Sequence, residues 1–386
     1  PRLLMARYQS VVDTNDPVAG NVLLEVKVWA GASGEIEPDS LQVHHGFEKT
    51  AFDIDPTTGV ITINRSDLAP GKHRFRFVVN SKNGPSQPLS ISFWVESTPF
   101  DWRDAVVYFA FVDRFADGAE NPAAGCEDAS AITRWRGGDW PGITAKIKAG
   151  YFENLGVNTL WLNSPMDNPD DCVLDPDGNI YTSFHGYFTA DPLATESRYG
   201  SMEDLKELVK AAHARGIRVI VDFVANHVHE TATLWTERTD DDWFNTPLYE
   251  CGWEQPETCW FRTYLPDLDH RQDAVVEEVV DWALYWVDQA DLDGFRVDAV
   301  KHIHSHFFLT LREKMKRRVE AHSDQIFWMV GETFVGTFGS GAEEDIAAYV
   351  SDTLLHGQFD FPLYWSILET IGRHEAGLDK LAGILT

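Results

Sequence analysis

The chain has 386 residues, 44% of them hydrophobic, and a formal net charge of −29 from 32 basic and 61 acidic side chains. That length accommodates a large barrel plus a module, and that acidity argues against nucleic acid or an anionic membrane as a partner. No apolar run approaches the roughly 20 residues of a spanning helix, and the chain opens at Pro1 without a recognisable signal peptide, as a processed or trimmed start would.

Residues 1–98 read as all-β. Segments 23–29, 50–54, 60–64, 73–80 and 89–96 alternate and are rich in Val, Ile and Phe. Turn signals at 55–59, 70–71 and 83–85 separate them, which is the pattern of a small immunoglobulin-like sandwich. Trp29 and Trp94 fall on these strands and are expected in the core rather than on a sugar-binding face. Residues 97–99 (STP) read as a linker.

From residue 101 the pattern changes to alternating strand and helix. Strands are expected at 106–112, 156–162, 218–224, 293–298, 327–330 and 353–359. Helices are expected at 144–155, 202–215, 272–290, 307–322 and 364–373. Six such units favour a (β/α)8-type barrel over a doubly wound sheet, and no Gly-rich phosphate loop follows any strand. Residues 228–269 interrupt the rhythm with four Trp (Trp235, Trp243, Trp253, Trp260) and two Cys. They read as a small domain inserted on the third strand–helix loop, leaving 99–227 and 270–386 as the barrel.

Four cysteines occur, at Cys126, Cys172, Cys251 and Cys259, with no C-x-x-C pair. Cys251 and Cys259 share one loop and are close enough to bridge, while Cys126 and Cys172 lie in two other loops. Two disulfides would mark an exported protein, secreted or periplasmic; four free thiols is the alternative.

Three of the expected strands end in polar clusters. The third ends in DFVANH (222–227), the fourth in DGFRVDAVKH (293–302) and the fifth in GETF (331–334). In the fourth, Phe295 and Val297 alternate with Arg296 and Asp298. That is either a structural ion pair capping a strand or a working carboxylate held ionised by Arg296. If these strands are parallel neighbours, Asp298 and Glu332 stand at one rim, where two carboxylates can cleave a glycosidic bond. Asp298 would attack, and Glu332, on an apolar strand end, would have a raised pKa and serve as acid and then base. A metal site built from the same groups is the competing chemistry, although no zinc-ligand spacing is present. His304 and His306 fall at a helix start and read as capping or surface residues.

Taken together, DFVANH, GFRVDAVKH and GETF resemble the successive motifs of the α-amylase family of glycoside hydrolases, family thirteen. GVNTLWLNSP (156–165), HGY (185–187) and LPDLD (265–269) fit in order between them. VVYFAFVDRFADG (106–118) and GGDW (137–140) are similar to the α-amylase and cyclodextrin glucanotransferase branch. The resemblance implies a retaining mechanism on α-glucosidic bonds of starch-type glucans or maltooligosaccharides, with Asp298 as nucleophile and Glu332 as acid/base. It implies that Arg296 orients the nucleophile, that His185 and His227 bond the sugar in the cleaved subsite and that Tyr187 stacks on it. Lys301 and His302 would line the leaving-group side. Calcium is implied as well, held by Asn226, Asp267, the His302 carbonyl and Glu257, all hard oxygen donors. A second calcium site is suggested by Asp117, Asn121, Gly137 and Asp139, with Ala119 where the pattern prefers a side-chain oxygen.

The chain departs from the family at one point. The third carboxylate, an Asp preceded by His, has no counterpart between Glu332 and Thr386. The expectation is that the natural polypeptide continues to supply it, together with the last two barrel units. The overall expectation is a secreted, monomeric α-amylase-like enzyme. A glucanotransferase of the same family is the nearest alternative, and a non-catalytic glucan-binding homologue is an alternative of another class.

Overall fold

The computed structural model describes residues 1–386 except 13–19, 30–35, 83, 121–125, 175–177, 240, 247–254 and 386. The N-terminal part is two antiparallel sheets. One orders strands Arg2–Val12, Gly20–Trp29, Val60–Leu68 and Asp53–Asp55. The other orders Glu48–Lys49, Ile36–His45, Gly71–Ser81 and Gly84–Pro85, with Leu89–Val95 also paired to Gly71–Ser81. Leu24, Val26, Ile61, Ile63, Phe75, Phe77 and Phe93 fill a shared core.

Two of the long strands, Arg2–Val12 and Ile36–His45, escape the sequence reading. The second contains Pro-Asp-Ser, which reads as a turn, yet the ladder absorbs it as a register shift between Glu37 and Gln42. The two tryptophans also differ from expectation. Val22, Leu24 and Val26 point inward, so strand alternation turns Trp29 outward, and it is 50% exposed. Trp94 is buried, but it lies on the strand face opposite Phe93, packed on Arg218 and His213 rather than in the sandwich core.

The second part is built on a six-stranded, all-parallel sheet in sequence order: Val107–Ala110, Thr159–Leu162, Arg218–Phe223, Gly294–Val297, Trp328–Gly331 and Gly357–Gln358. Helices Trp140–Lys148, Met202–His213, Asp273–Ala290 and Ser305–Arg318 connect them. Ser201 closes a capping box with Asp204, as its position before Met202 suggests. The single helix expected over 144–155 is two, because Gly150 adopts a left-handed conformation (φ 75°) and ends the first at Lys148. The sixth strand is only two residues long, since 353–356 turn back on themselves through Ser351 and Leu355. Among the described residues no helix is long and apolar enough to cross a membrane.

Two excursions leave the sheet at the same end. Residues 163–200 form two short ladders, Met166–Asp167 with Asp191–Thr195 and Val173–Leu174 with Ile180–Tyr181. A disulfide joins Cys126 to Cys172 beside them. Residues 228–269 return to the end of the third strand through a bridge from His227 to Asp267, and a second bridge, Phe244 to Leu268, lies within them. Cys259 is also disulfide-bonded; Cys251, its expected partner, lies outside the described residues.

Candidate active site

Parallel register brings the three polar strand ends together. Asp222 pairs with Arg296, and Val297 with Gly331. Asp298 donates its amide to the Phe223 carbonyl (3.1 Å), and Glu332 donates its amide to the Val297 carbonyl (3.0 Å), so both carboxylates sit one residue past their strands. Ala299 follows at φ 53°, a conformation that costs a non-glycine residue energy. It turns the chain into the short helix Val300–His302, and its amide points at Glu332 Oε2 (3.4 Å).

The buried Arg296 guanidinium organises the centre. Its Nη1 donates to Asp298 Oδ1 (2.5 Å) and Asp222 Oδ1 (2.8 Å), and its Nη2 lies 3.6 Å from Glu332 Oε2. Burial opposes its charge, but Asp222 and then Asp298 more than compensate and hold it protonated. One cation therefore faces three carboxylates, which it cannot neutralise fully. Burial pushes Glu332 above the usual carboxylate range, with Arg296 opposing and Asp298 adding to the rise. Burial likewise pushes Asp222 up to about 6. Asp222 is fully buried and accepts a hydrogen bond from Tyr187 (3.0 Å), so it ties Tyr187 to Arg296. The sequence reading did not single it out. Its signal was there, a carboxylate in the apolar run Val219–Ala225, four and five residues before Asn226 and His227.

His185 and Tyr187 stack with ring centroids 5.5 Å apart, and the Tyr187 amide donates to His185 Nδ1 (3.0 Å). His227 Nε2 bonds the Tyr187 carbonyl (3.0 Å) and its ring meets Phe261 edge-on. Burial lowers His185 to about 4 and lowers His227, so both present neutral imidazoles at neutral pH. His302 is held by the Pro256 carbonyl (3.0 Å) and packs on Phe261, and burial lowers it to about 4. Lys301 Nζ donates to the Phe334 carbonyl (2.6 Å). It borders a hollow of ≈490 Å³ that Phe334, Ser340, Asp345 and Trp365 also line. His304 caps helix Ser305–Arg318 through its ring, accepting from the His306 amide.

The residues implied for calcium fall into two groups. Asn226 Nδ2 and Asn245 Nδ2 donate to the two oxygens of the buried Asp267 (2.7 and 2.6 Å), while Asn226 Oδ1 is buried without a hydrogen-bond partner among the described residues. Burial pushes Asp267 well above the ordinary carboxylate range. Asn245 also donates to the Glu257 carbonyl (3.2 Å), which draws that loop toward the pair. A buried carboxylate beside an orphaned amide oxygen fits a hard cation. Among the described residues no three His, Cys, Asp or Glu side chains converge to hold an ion, so a cation here would lean on amide and backbone oxygens. The second set fits less well. Asp117 and Gly137 border one hollow. Asp139, however, caps helix Trp140–Lys148 and accepts from the amides of Gly118, Ala119 and Gly142. Asn121 lies outside the described residues.

A parallel sheet that gathers an arginine and three carboxylates at its C-terminal rim is the arrangement of a barrel hydrolase. The family described as "Alpha amylase, catalytic domain" matches residues 109–378, and the chain belongs to that family. It is 34% identical over 224 residues to an alpha-amylase of Niallia circulans, covering 51% of this chain and 42% of that protein. It is 31% identical over 286 residues to a cyclomaltodextrin glucanotransferase of Bacillus sp. (strain 6.6.3), covering 66% of this chain and 38% of that protein. The chain thus spans about two fifths of the length of these relatives. Among solved structures, the alpha-amylase of Geobacillus thermoleovorans complexed with acarbose superposes with a TM-score of 0.60 at 29% identity, covering 74% of this chain and 58% of that one. The type III pullulan hydrolase of Thermococcus kodakarensis shares the fold over 94% of this chain and 66% of its own, with a TM-score of 0.52 at 20% identity.

Proposed function

We propose that this chain carries the catalytic centre of a retaining α-glycosidase that cleaves internal α-1,4 bonds of starch-type glucans. Asp298 attacks the anomeric carbon while the protonated Glu332 gives its proton to the departing glycosidic oxygen. The glycosyl ester on Asp298 then breaks as water attacks and Glu332 takes the water's proton back. The observation that carries this reading is the pairing of Asp298 with Arg296 at 2.5 Å beside a Glu332 whose burial raises its pKa. His185, whose Nδ1 accepts from the Tyr187 amide, offers its Nε2–H to a hydroxyl of the sugar being cleaved, His227 lines the same subsite with its Nε2–H given to the Tyr187 carbonyl, and Tyr187 offers its ring face to the sugar. Lys301 and His302 line the leaving-group side.

Asn226, Asp267, the His302 carbonyl and the Glu257 loop would hold calcium, which would offset the charge of Asp267 and tie residues 228–269 to the third strand end. In this reading 228–269 is an inserted domain, 1–98 is an immunoglobulin-like domain, and the protein is exported and monomeric. Asp117, Gly137 and Asp139, with Asn121, would form the second calcium site.

A second reading replaces water by a sugar hydroxyl. The hollow beside Lys301, walled by Phe334 and Trp365, favours it, because aromatic walls hold an acceptor sugar and exclude water. Product analysis on maltoheptaose separates the two: shorter linear sugars mark hydrolysis, whereas cyclic or longer products mark transfer. A 5-fluoro-α-glycosyl fluoride should leave a glycosyl ester on Asp298, found by mass spectrometry of its peptide. A label on another residue would overturn the assignment.

A further inference from the structure

Strand Gly71–Ser81 has two unlike faces. Phe75 and Phe77 enter the N-terminal core, and Lys72, Arg74 and Arg76 project from the other side. On the neighbouring strand, Trp94, Ser92 and Ser90 stand opposite those three cations. This face meets the barrel where helix Asp273–Ala290 ends and the fourth strand begins.

The contacts there are dense. Arg74 donates to the Val287 and Asp288 carbonyls (3.2 and 3.0 Å), and Arg76 grips the Asp288 carboxylate at 2.7 and 2.8 Å. Lys72 donates to the Asp291 carbonyl (3.0 Å) and pairs with the carboxylates of Asp291 (3.0 Å) and Asp293 (2.8 Å). These cations complete the carbonyl end of the helix, where the backbone leaves acceptors and partial negative charge. Asp293 uses its other oxygen on the Val219 amide and His213, both at 2.8 Å. Arg218, the first residue of the third strand, pairs with Glu96 (2.7 Å) and lies between the rings of Trp94 (3.8 Å) and Phe100 (3.9 Å). Ser92 bridges to Ser323. Gly71 allows the approach: at φ 119° it suits glycine, and an added Cβ would lie 2.5 Å from the His213 carbonyl oxygen.

The N-terminal region thus holds the starts of two of the three strands whose other ends carry the candidate centre. Asp293 lies five residues before Asp298, about 16 Å along an extended strand. We propose that the N-terminal β region is a built-in clamp that sets the third and fourth barrel strands. Lys72 and Arg74 are then positioning residues for Arg296 and Asp298, a role that rests on the functional reading above. Removing Lys72 leaves two buried carboxylates short of charge, which loosens the fourth strand before the rest of the sheet.

Hydrogen exchange followed by mass spectrometry tests the clamp in the whole chain. With Lys72→Met, exchange over 291–298 should rise at least about tenfold while 107–110 stays unchanged, and kcat on maltoheptaose should fall about tenfold with KM within about twofold. Lys72→Arg should restore both. Faster exchange confined to 71–81, or rising equally in every strand, overturns the clamp. If Lys72→Met does not fold, Arg76→Gln decides, because its half-exposed pair tolerates loss. About a threefold rise over 281–298 supports the clamp and no rise overturns it. Absence of turnover in a polypeptide that also carries the third carboxylate sinks the functional reading, and the exchange data still decide the clamp.

Discussion

Two clusters of buried charge occupy opposite ends of the third and fourth strands, the rim cluster adding Glu332 from the fifth, and their balances differ. At the seam, Asp291 and Asp293 face Lys72, Arg74 and His213. Burial alone would raise both carboxylates. Arg74 and Lys72 hold Asp291 below the usual range, and Lys72 and His213 hold Asp293 there. At the rim, Asp222, Asp298 and Glu332 share one guanidinium, and burial wins at Asp222 and Glu332. A cluster whose charges are met in full serves as a joint. A cluster left short of positive charge holds protons more readily, and chemistry that moves a proton needs that.

The contrast can be broken from either end. The largest effect belongs to the rim: Asp298→Asn should lower turnover of maltoheptaose by about four orders of magnitude or more while binding survives. Turnover within tenfold of wild type would remove Asp298 as nucleophile. At the seam, Lys72→Met should cost about 3–5 kcal/mol of stability at pH 7, read by urea unfolding, because it strands buried carboxylates. Since Asp291 and Asp293 are depressed, their stabilisation is present above the unfolded carboxylate pKa and fades as pH falls through their folded values. A wild-type protein as sensitive to Lys72→Met at pH 2 as at pH 7 would contradict that origin.

Calcium sharpens the comparison beside the rim. At about a hundred times its Kd it should add about 2.7 kcal/mol, lost on chelation and seen as a lower Tm. Asp267 is raised, so without the ion its contribution is favourable at low pH and is lost as pH rises. The chelation effect should therefore grow from pH 5 to pH 8, and a flat difference would argue against Asp267 as a ligand. The smallest effect concerns Asp222. Raised to about 6, it supports stability below the unfolded carboxylate pKa and loses about 1–2 kcal/mol as pH rises from about 4 through 6. Asp222→Asn should remove that slope from calorimetric stability curves; an unchanged slope would assign it to another group.

Much of the rim was legible because strand alternation and motif spacing operate over a few residues. Arg296, Asp298 and Glu332 could be placed side by side once the strands were taken as parallel neighbours. Asp222 was harder to see: its significance lies in contacts to Tyr187 and Arg296, 35 and 74 residues away. Asn245, which completes the bonding of Asp267, sits in a segment without periodicity and offered no local signal. The seam left a trace in the spacing of Lys72, Arg74 and Arg76, yet alternating cations on a strand ordinarily mean a face turned to water. Trp94 misled in the same way, because a buried aromatic does not reveal which of two packed surfaces covers it.

The bond between Cys126 and Cys172 closes a ring of chain with a sequence separation of 46 around the helix Trp140–Lys148 and the strand Thr159–Leu162. A protease that cuts once inside this ring releases nothing. The nicked protein should run as one band on a gel without reductant and as two with it, and it should keep its second strand in the sheet. Such a protein can be cut and still hold together, a form of durability set by covalent topology rather than by packing.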